Sequence, residues 1–317
     1  MSFAIRCRNL VKQYDGRPPV EAVRGVDLEV RSGECFGLLG PNGAGKTTTM
    51  EILEGLLPAT SADLMEVLGL SWGRDDMAIR RRIGISLQET RLTDKLTVLE
   101  TVVLFRSFYS AGLDPAEAIR RVSLDDKQGA LIEKLSGGQK QRLAVACGIV
   151  ADPELLFLDE PTTGLDPHSR RELWDIVREF RSSGRTILLT THYMDEAERL
   201  CDRVAVIDQG QVIALGTPVE LIARLGGQHI VDFSLTENSH PFTDDDLRGM
   251  ASVQSVRREE NTISLSVGEP HVALPALMNH VQETGREFAT LTTRHATLED
   301  VFVTLTGRHL RDEGTSK

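Results

Sequence analysis

The segment Gly40–Thr47, GPNGAGKT, sets three glycines, a lysine and a threonine at the spacing G-x-x-x-x-G-K-[ST]. An apolar run, Cys35–Gly40, reads as the strand before it, and KTTTMEILEGLL reads as the helix after it. Glycines in such a turn let backbone N–H groups wrap phosphates, and the helix start adds the positive end of its dipole. The loop Gly40, Pro41, Asn42, Gly43, Ala44, Gly45 is therefore a phosphate cradle, continued by Lys46, Thr47 and Thr48. Lys46 is placed to reach β- and γ-phosphates, and the Thr47 hydroxyl to ligate Mg²⁺. The segment predicts a nucleoside triphosphate site.

Such a site needs a carboxylate for the metal. Asp159 ends the apolar run ELLFLD, and Glu160 follows it immediately, before PTTGLDP. Asp159 suits Mg²⁺, and a neighbouring carboxylate suits orienting or deprotonating an attacking water. His192 closes a further apolar run, RTILLTTH, and can point at the same phosphate. A lone histidine at a strand end is, by itself, more often structural.

A second anion-binding feature lies in KLSGGQKQR, Lys134–Arg142. Glycine within a helix costs about 1 kcal/mol against alanine, so Gly137 and Gly138 belong where backbone must be bared. Ser136 reads as the N-cap of a helix start, which makes another place for an anion. One triphosphate does not require two cradles in one chain.

These groups need a frame. The strands ending at Gly40, Asp159 and His192 are each followed by helical sequence, the pattern of a parallel sheet with crossover helices. VEAVRGVDLEVRSGECFGLLG alternates apolar and polar residues, which predicts short antiparallel strands. The stretch from Gln88 to Leu135 reads as largely helical. Composition shifts after GTPVELIARLGG, and a boundary near Gly226 divides the chain into 1–226 and 227–317. HIVDFSL, NTISLSV and FATLTT read as strands, and ALPALMNHVQETG and LEDVFVTLTG as helices, so the tail reads as a small α+β domain. From Gly227 onward 14 acidic and 8 basic residues give a net of −6, over half of the chain's −11.

That acidic balance argues against nucleic acid as the main partner, which leaves a basic footprint. The cysteines, Cys7, Cys35, Cys147 and Cys201, lie far apart without a CxxC pair, as in reduced cytosolic proteins. No run approaches the 18 or so apolar residues of a membrane span, and the start lacks a signal-peptide core. The six histidines after Gly227 lack metal-ligand spacing and read as surface residues.

Over Ile5–Leu225 the chain resembles the ATP-binding subunits of ABC transporters. The motifs stand in that family's order: GPNGAGKTT, Gln88 in SLQET, LSGGQ at Leu135–Gln139, LLFLDE at Leu155–Glu160, GLD at Gly164–Asp166, then His192. The resemblance implies an α/β fold, a P-loop ABC ATPase domain with parallel core sheet, antiparallel β subdomain and helical subdomain, followed by the small α+β domain. It implies ATP and Mg²⁺ as cofactors, with Glu160, His192 and Gln88 catalytic and Thr47, Gln88 and Asp159 at the metal. Tyr14 matches the aromatic residue that stacks on adenine, and Asp166 a residue communicating across a dimer.

The resemblance also explains the second cradle. In that family two subunits pack head to tail, and each offers Ser136, Gly137, Gly138 and Gln139 to the ATP held by the other. It implies a homodimer with ATP at its interface, an integral membrane permease as partner, no nucleic acid, and a place at the cytoplasmic face of the cell membrane. THYMDEAERLCDRVAVIDQGQVIALGTP and HATLEDVFVTLTGR resemble the prokaryotic multidrug and antibiotic exporter branch. The expected function is thus the ATP-hydrolysing motor of an efflux transporter. The alternatives are a soluble ABC-type ATPase acting on ribosomes or DNA, and a P-loop kinase or GTPase. The first would bring paired ATPase units, a long coiled-coil insertion or zinc cysteines, and the second leaves LSGGQ unexplained.

Overall fold

The computed structural model describes residues 2–87, 92–225, 227, 229–236, 242–259 and 261–307. By contacts the chain divides into two compact units, Met1–Leu215 and Gly216–Lys317.

In the first unit a six-stranded sheet runs in the order Ile83–Ser86, Leu155–Asp159, Thr186–Thr191, Cys35–Leu39, Arg203–Asp208, Gln211–Gly216. The first five strands pair in parallel. Cys35–Leu39, Leu155–Asp159 and Thr186–Thr191 are buried at every position. Strands covered on both faces carry continuous apolar runs rather than alternation, which is why they read clearly in the sequence. Their carboxyl ends bring Leu39, Asp159 and Thr191 to one edge of the sheet, and there the phosphate loop begins.

A second sheet orders Val20–Arg31, Phe3–Tyr14 and Leu64–Val67, all antiparallel. The sequence suggested short strands here; instead the first two each run for 12 residues. Register shifts between Cys7 and Leu10 and between Lys12 and Gln13 let the ribbon bend without ending. Both sheets share one core, in which Phe36, Met50, Leu53, Phe157 and Leu188 meet Ile5, Leu10 and Leu28.

The expected helical region is made of Val98–Ser107, Pro115–Arg121 and two 3₁₀ turns, and then Gly137–Ile149. Thr97 and Glu100 form a reciprocal capping box, and Asp114 caps a helix that opens with Pro115.

The second unit is a four-stranded antiparallel sheet, Val253–Glu259, Thr262–Val267, His229–Leu235, Phe288–His295. Val231, Phe233, Leu265, Leu277 and Val281 form its core. Helix Pro218–Ala223 packs on Leu298–Thr306 inside this unit, so the contact division precedes Gly226 by several residues; Gly226 itself lies outside the described residues. Strand Val253–Glu259 and helix Asp244–Arg248 went unread because VQSVRRE and DDDLR hold few apolar residues. His280 is not simply a surface residue, since its ring stacks on Phe242 and its Nε2 is buried.

Candidate active site

The phosphate loop is shaped by its backbone. Gly45 has φ +98°, and a Cβ there would collide with the carbonyl oxygen of Ala22, so glycine is required twice over. A Cβ at Gly40 would strike the carbonyl of Ile207 on the adjacent strand. Within the loop the Ala44 N–H donates to Pro41 O at 3.2 Å, leaving Asn42 and Gly43 exposed at the tip. Lys46 opens the following helix, Lys46–Leu53, with Thr47 and Thr48 in its first turn. Its ammonium curls back to donate to Gly40 O at 2.8 Å and Pro41 O at 3.0 Å, and is only 4% exposed.

The strand-end carboxylates stand directly opposite. Thr47 Oγ1 donates to Asp159 Oδ1 at 3.3 Å, and the Thr190 hydroxyl donates to the same oxygen. Burial nevertheless pushes the Asp159 carboxyl above its ordinary value. Glu160 takes φ +44°, a left-handed conformation rare outside glycine, and its N–H donates to Thr190 Oγ1 at 2.9 Å. That turn aims its side chain away from the strand and towards two bases. Oε1 lies 3.4 Å from Lys46 Nζ, and Oε2 lies 3.2 Å from His192 Nδ1, in ion-pair range though poorly aligned for a hydrogen bond. The His192 contact and the Lys46 charge outweigh burial and pull the Glu160 carboxyl down to about 2. Thr163 Oγ1 adds a hydrogen bond at 3.1 Å. Glu160 is thus an ionised, oriented hydrogen-bond acceptor at neutral pH.

Ser136, Gly137, Gly138, Gln139 and Asp166 form a second cluster. Ser136 caps Gly137–Ile149: the Gln139 N–H donates to Ser136 Oγ at 3.3 Å, and the Ser136 N–H donates to Gln139 Oε1 at 3.0 Å. Gly137 is exposed with open space where a Cβ would lie, whereas Gly138 is buried against the Ser169 hydroxyl. Asp166 caps helix Pro167–Ser182 through the His168 and Ser169 N–H groups, and accepts the Ser169 hydroxyl at 2.6 Å. These donors pull the Asp166 carboxyl down to about 2. Ser169 therefore packs the Asp166 turn against the start of helix Gly137–Ile149. Tyr14 ends its strand exposed, with Lys12 Nζ 5.2 Å from its ring centroid. Gln88 lies outside the described residues.

The sequence reading missed Thr190, Thr163 and Ser169. Thr190 left no signal in the sequence, since only the parallel register with Asp159 brings it to that carboxylate. Ser169 had one, as the fourth residue of a D-P-x-S capping turn.

Among known proteins, the profile of the family described as ABC transporter matches residues 23–163. Nod factor export ATP-binding protein I of Cupriavidus metallidurans is 40% identical over 98% of this chain and 100% of its own. The chain belongs to the ATP-binding subunits of ABC transporters. Daunorubicin/doxorubicin resistance ATP-binding protein DrrA of Streptomyces peucetius is 38% identical to this cassette, over 99% of the chain and 96% of DrrA. A dimeric ATP-binding cassette in a post-hydrolysis state bound to ADP and Pi superposes with a TM-score of 0.60 at 25% identity, over 67% of this chain and 98% of that one. The cassette is an ATPase. The Thr47 hydroxyl beside a buried Asp159 fits a hard divalent cation, since both offer oxygen ligands.

Proposed function

We propose that this cassette is the ATP-binding and ATP-hydrolysing motor of an ABC efflux transporter, driving export of a drug-like or other substrate through a separate membrane permease. It works as a homodimer with ATP at the interface, peripheral to the cytoplasmic face of the membrane. No helix among the described residues is long and apolar enough to cross a membrane. The first 226 residues act as the motor, and the remainder as an accessory domain.

The observation that carries this reading is the double engagement of Glu160. ATP phosphates entering the loop compete for Lys46, which exchanges Gly40 O, Pro41 O and Glu160 for phosphate oxygens. Thr47 and Asp159 would hold Mg²⁺, which when bound would polarise the phosphoryl oxygens. Glu160, released by Lys46, accepts the proton of the attacking water, while His192 turns to the γ-phosphate. Gln88 links the metal and the water to the permease, and Tyr14 stacks on adenine. Each subunit presents Gly137 and the capped helix end at Ser136 to the ATP held by the other. Neither half encloses ATP alone, so binding closes the dimer and hydrolysis opens it.

The test is affinity purification of tagged Glu160→Gln protein from detergent-solubilised membranes with MgATP. One integral membrane protein, recovered in stoichiometric amount and stimulating the wild-type ATPase, is the expected outcome. Recovery of ribosomes or DNA instead would overturn the transporter reading.

A further inference from the structure

Thr47, Glu51 and Glu54 are spaced i, i+4, i+7 along the phosphate-loop helix and its C-cap, and so share one face. Glu54 is 2% exposed, and neither of its carboxyl oxygens has a hydrogen-bond donor. Such a group is costly, because a buried carboxylate ordinarily has a base or several N–H groups around it. Its position makes matters worse, since a helix C-terminus already carries negative potential. The charges that Glu54 feels are Asp159 and Glu51, both acids. With burial they push its carboxyl up to about 8. Glu51 is pushed up as well, by burial and by Asp159. Glu160, next to Asp159 in the chain, has Lys46 and His192. The structure therefore gives Glu160 two basic partners, and among the described residues none to Glu54.

We propose that Glu54 is a positioning residue of the metal site, its buried carboxylate, with Glu51, holding Mg²⁺ on Thr47 and Asp159 through charge and intervening water. A divalent cation there is the counterion that the carboxylates on this helix face lack. Glu54 touches neither the phosphates nor the attacking water, and acts through Asp159. The inference rests on the ATPase reading above.

The test uses the full chain with ADP and Mn²⁺, reading free Mn²⁺ by electron paramagnetic resonance. Glu54→Gln keeps the shape and cannot ionise as the metal binds. It is expected to weaken Mn²⁺ binding to the ADP complex about tenfold, while ADP affinity in EDTA stays within about twofold of wild type. Glu54→Asp is expected to restore most of the Mn²⁺ affinity. Wild-type Mn²⁺ affinity in Glu54→Gln overturns the inference, and so does an equal loss of metal-free ADP binding, which would make Glu54 structural. Should Glu54→Gln fail to fold, Glu51→Gln at its half-buried position is expected to weaken Mn²⁺ about threefold, and no change there overturns the inference. A wild-type chain that binds no Mn²⁺·ADP would defeat the ATPase reading itself.

Discussion

Lys46 Nζ and Glu160 Oε1 lie 3.4 Å apart, with both side chains almost sealed from solvent. Each is a counterion to the other, and the proposed cycle draws each away, Lys46 to phosphate and Glu160 to water. In that proposal the pair holds the base in place and couples its release to the arrival of ATP.

Lys46→Ala removes a charge-assisted contact to phosphate. Loss of about 2 kcal/mol, or roughly thirtyfold in affinity, is expected for ADP and ATP by calorimetric titration. Unchanged affinity would mean that backbone N–H groups alone hold the nucleotide.

Glu160→Gln keeps the shape of the base but cannot take a proton. ATP binding should persist while steady-state hydrolysis falls by at least about a hundredfold. Normal turnover would show that another group activates the water.

Two carboxyls give pH dependences of opposite sign. Glu160 is held at about 2, below its ordinary 4.5, so its contribution to stability is present above 4.5 and is lost as pH falls towards 2. Glu54 is raised to about 8, so the fold loses stability as pH rises from 4.5 through 8, where the unfolded chain ionises this group and the folded chain resists. Urea unfolding of the nucleotide-free protein without metal should therefore show Glu54→Gln stabilised at pH 8 by on the order of 2–4 kcal/mol, and little changed at pH 4. An equal effect at both pH values would contradict the assignment.

Gly45→Ala places a methyl against the Ala22 carbonyl in a left-handed conformation. A loss of stability of about 2 kcal/mol or more is expected by thermal unfolding, together with loss of nucleotide binding. Retention of both would mean that the loop re-forms around the added carbon.

Much of this site is legible in the sequence, because its residues sit at the ends of buried parallel strands. Gly40, Asp159 and His192 each close an apolar run, though His192 alone also reads as structural, and the Ser136–Gln139 capping box needs only local chain geometry. What escaped needs two elements at once. The Lys46–Glu160 pair joins a helix start to a strand end over 100 residues away, and φ +44° at Glu160 leaves no mark in a residue type. Glu54 shows the opposite failure: a carboxylate at the end of a helix reads as a solvated face, and only the packing shows it to be buried. The 12-residue strand Val20–Arg31 reads as shorter than it is because bulges interrupt strict alternation.

The head-to-tail dimer is the centre of the functional account, and solution mass tests it most directly. Glu160→Gln protein is measured with and without MgATP, and again with Ser136→Arg added. Conversion of monomer to dimer by MgATP, abolished by Ser136→Arg, is the predicted result. A protein that binds ATP yet stays monomeric, or a dimer indifferent to both ATP and Ser136, would contradict it.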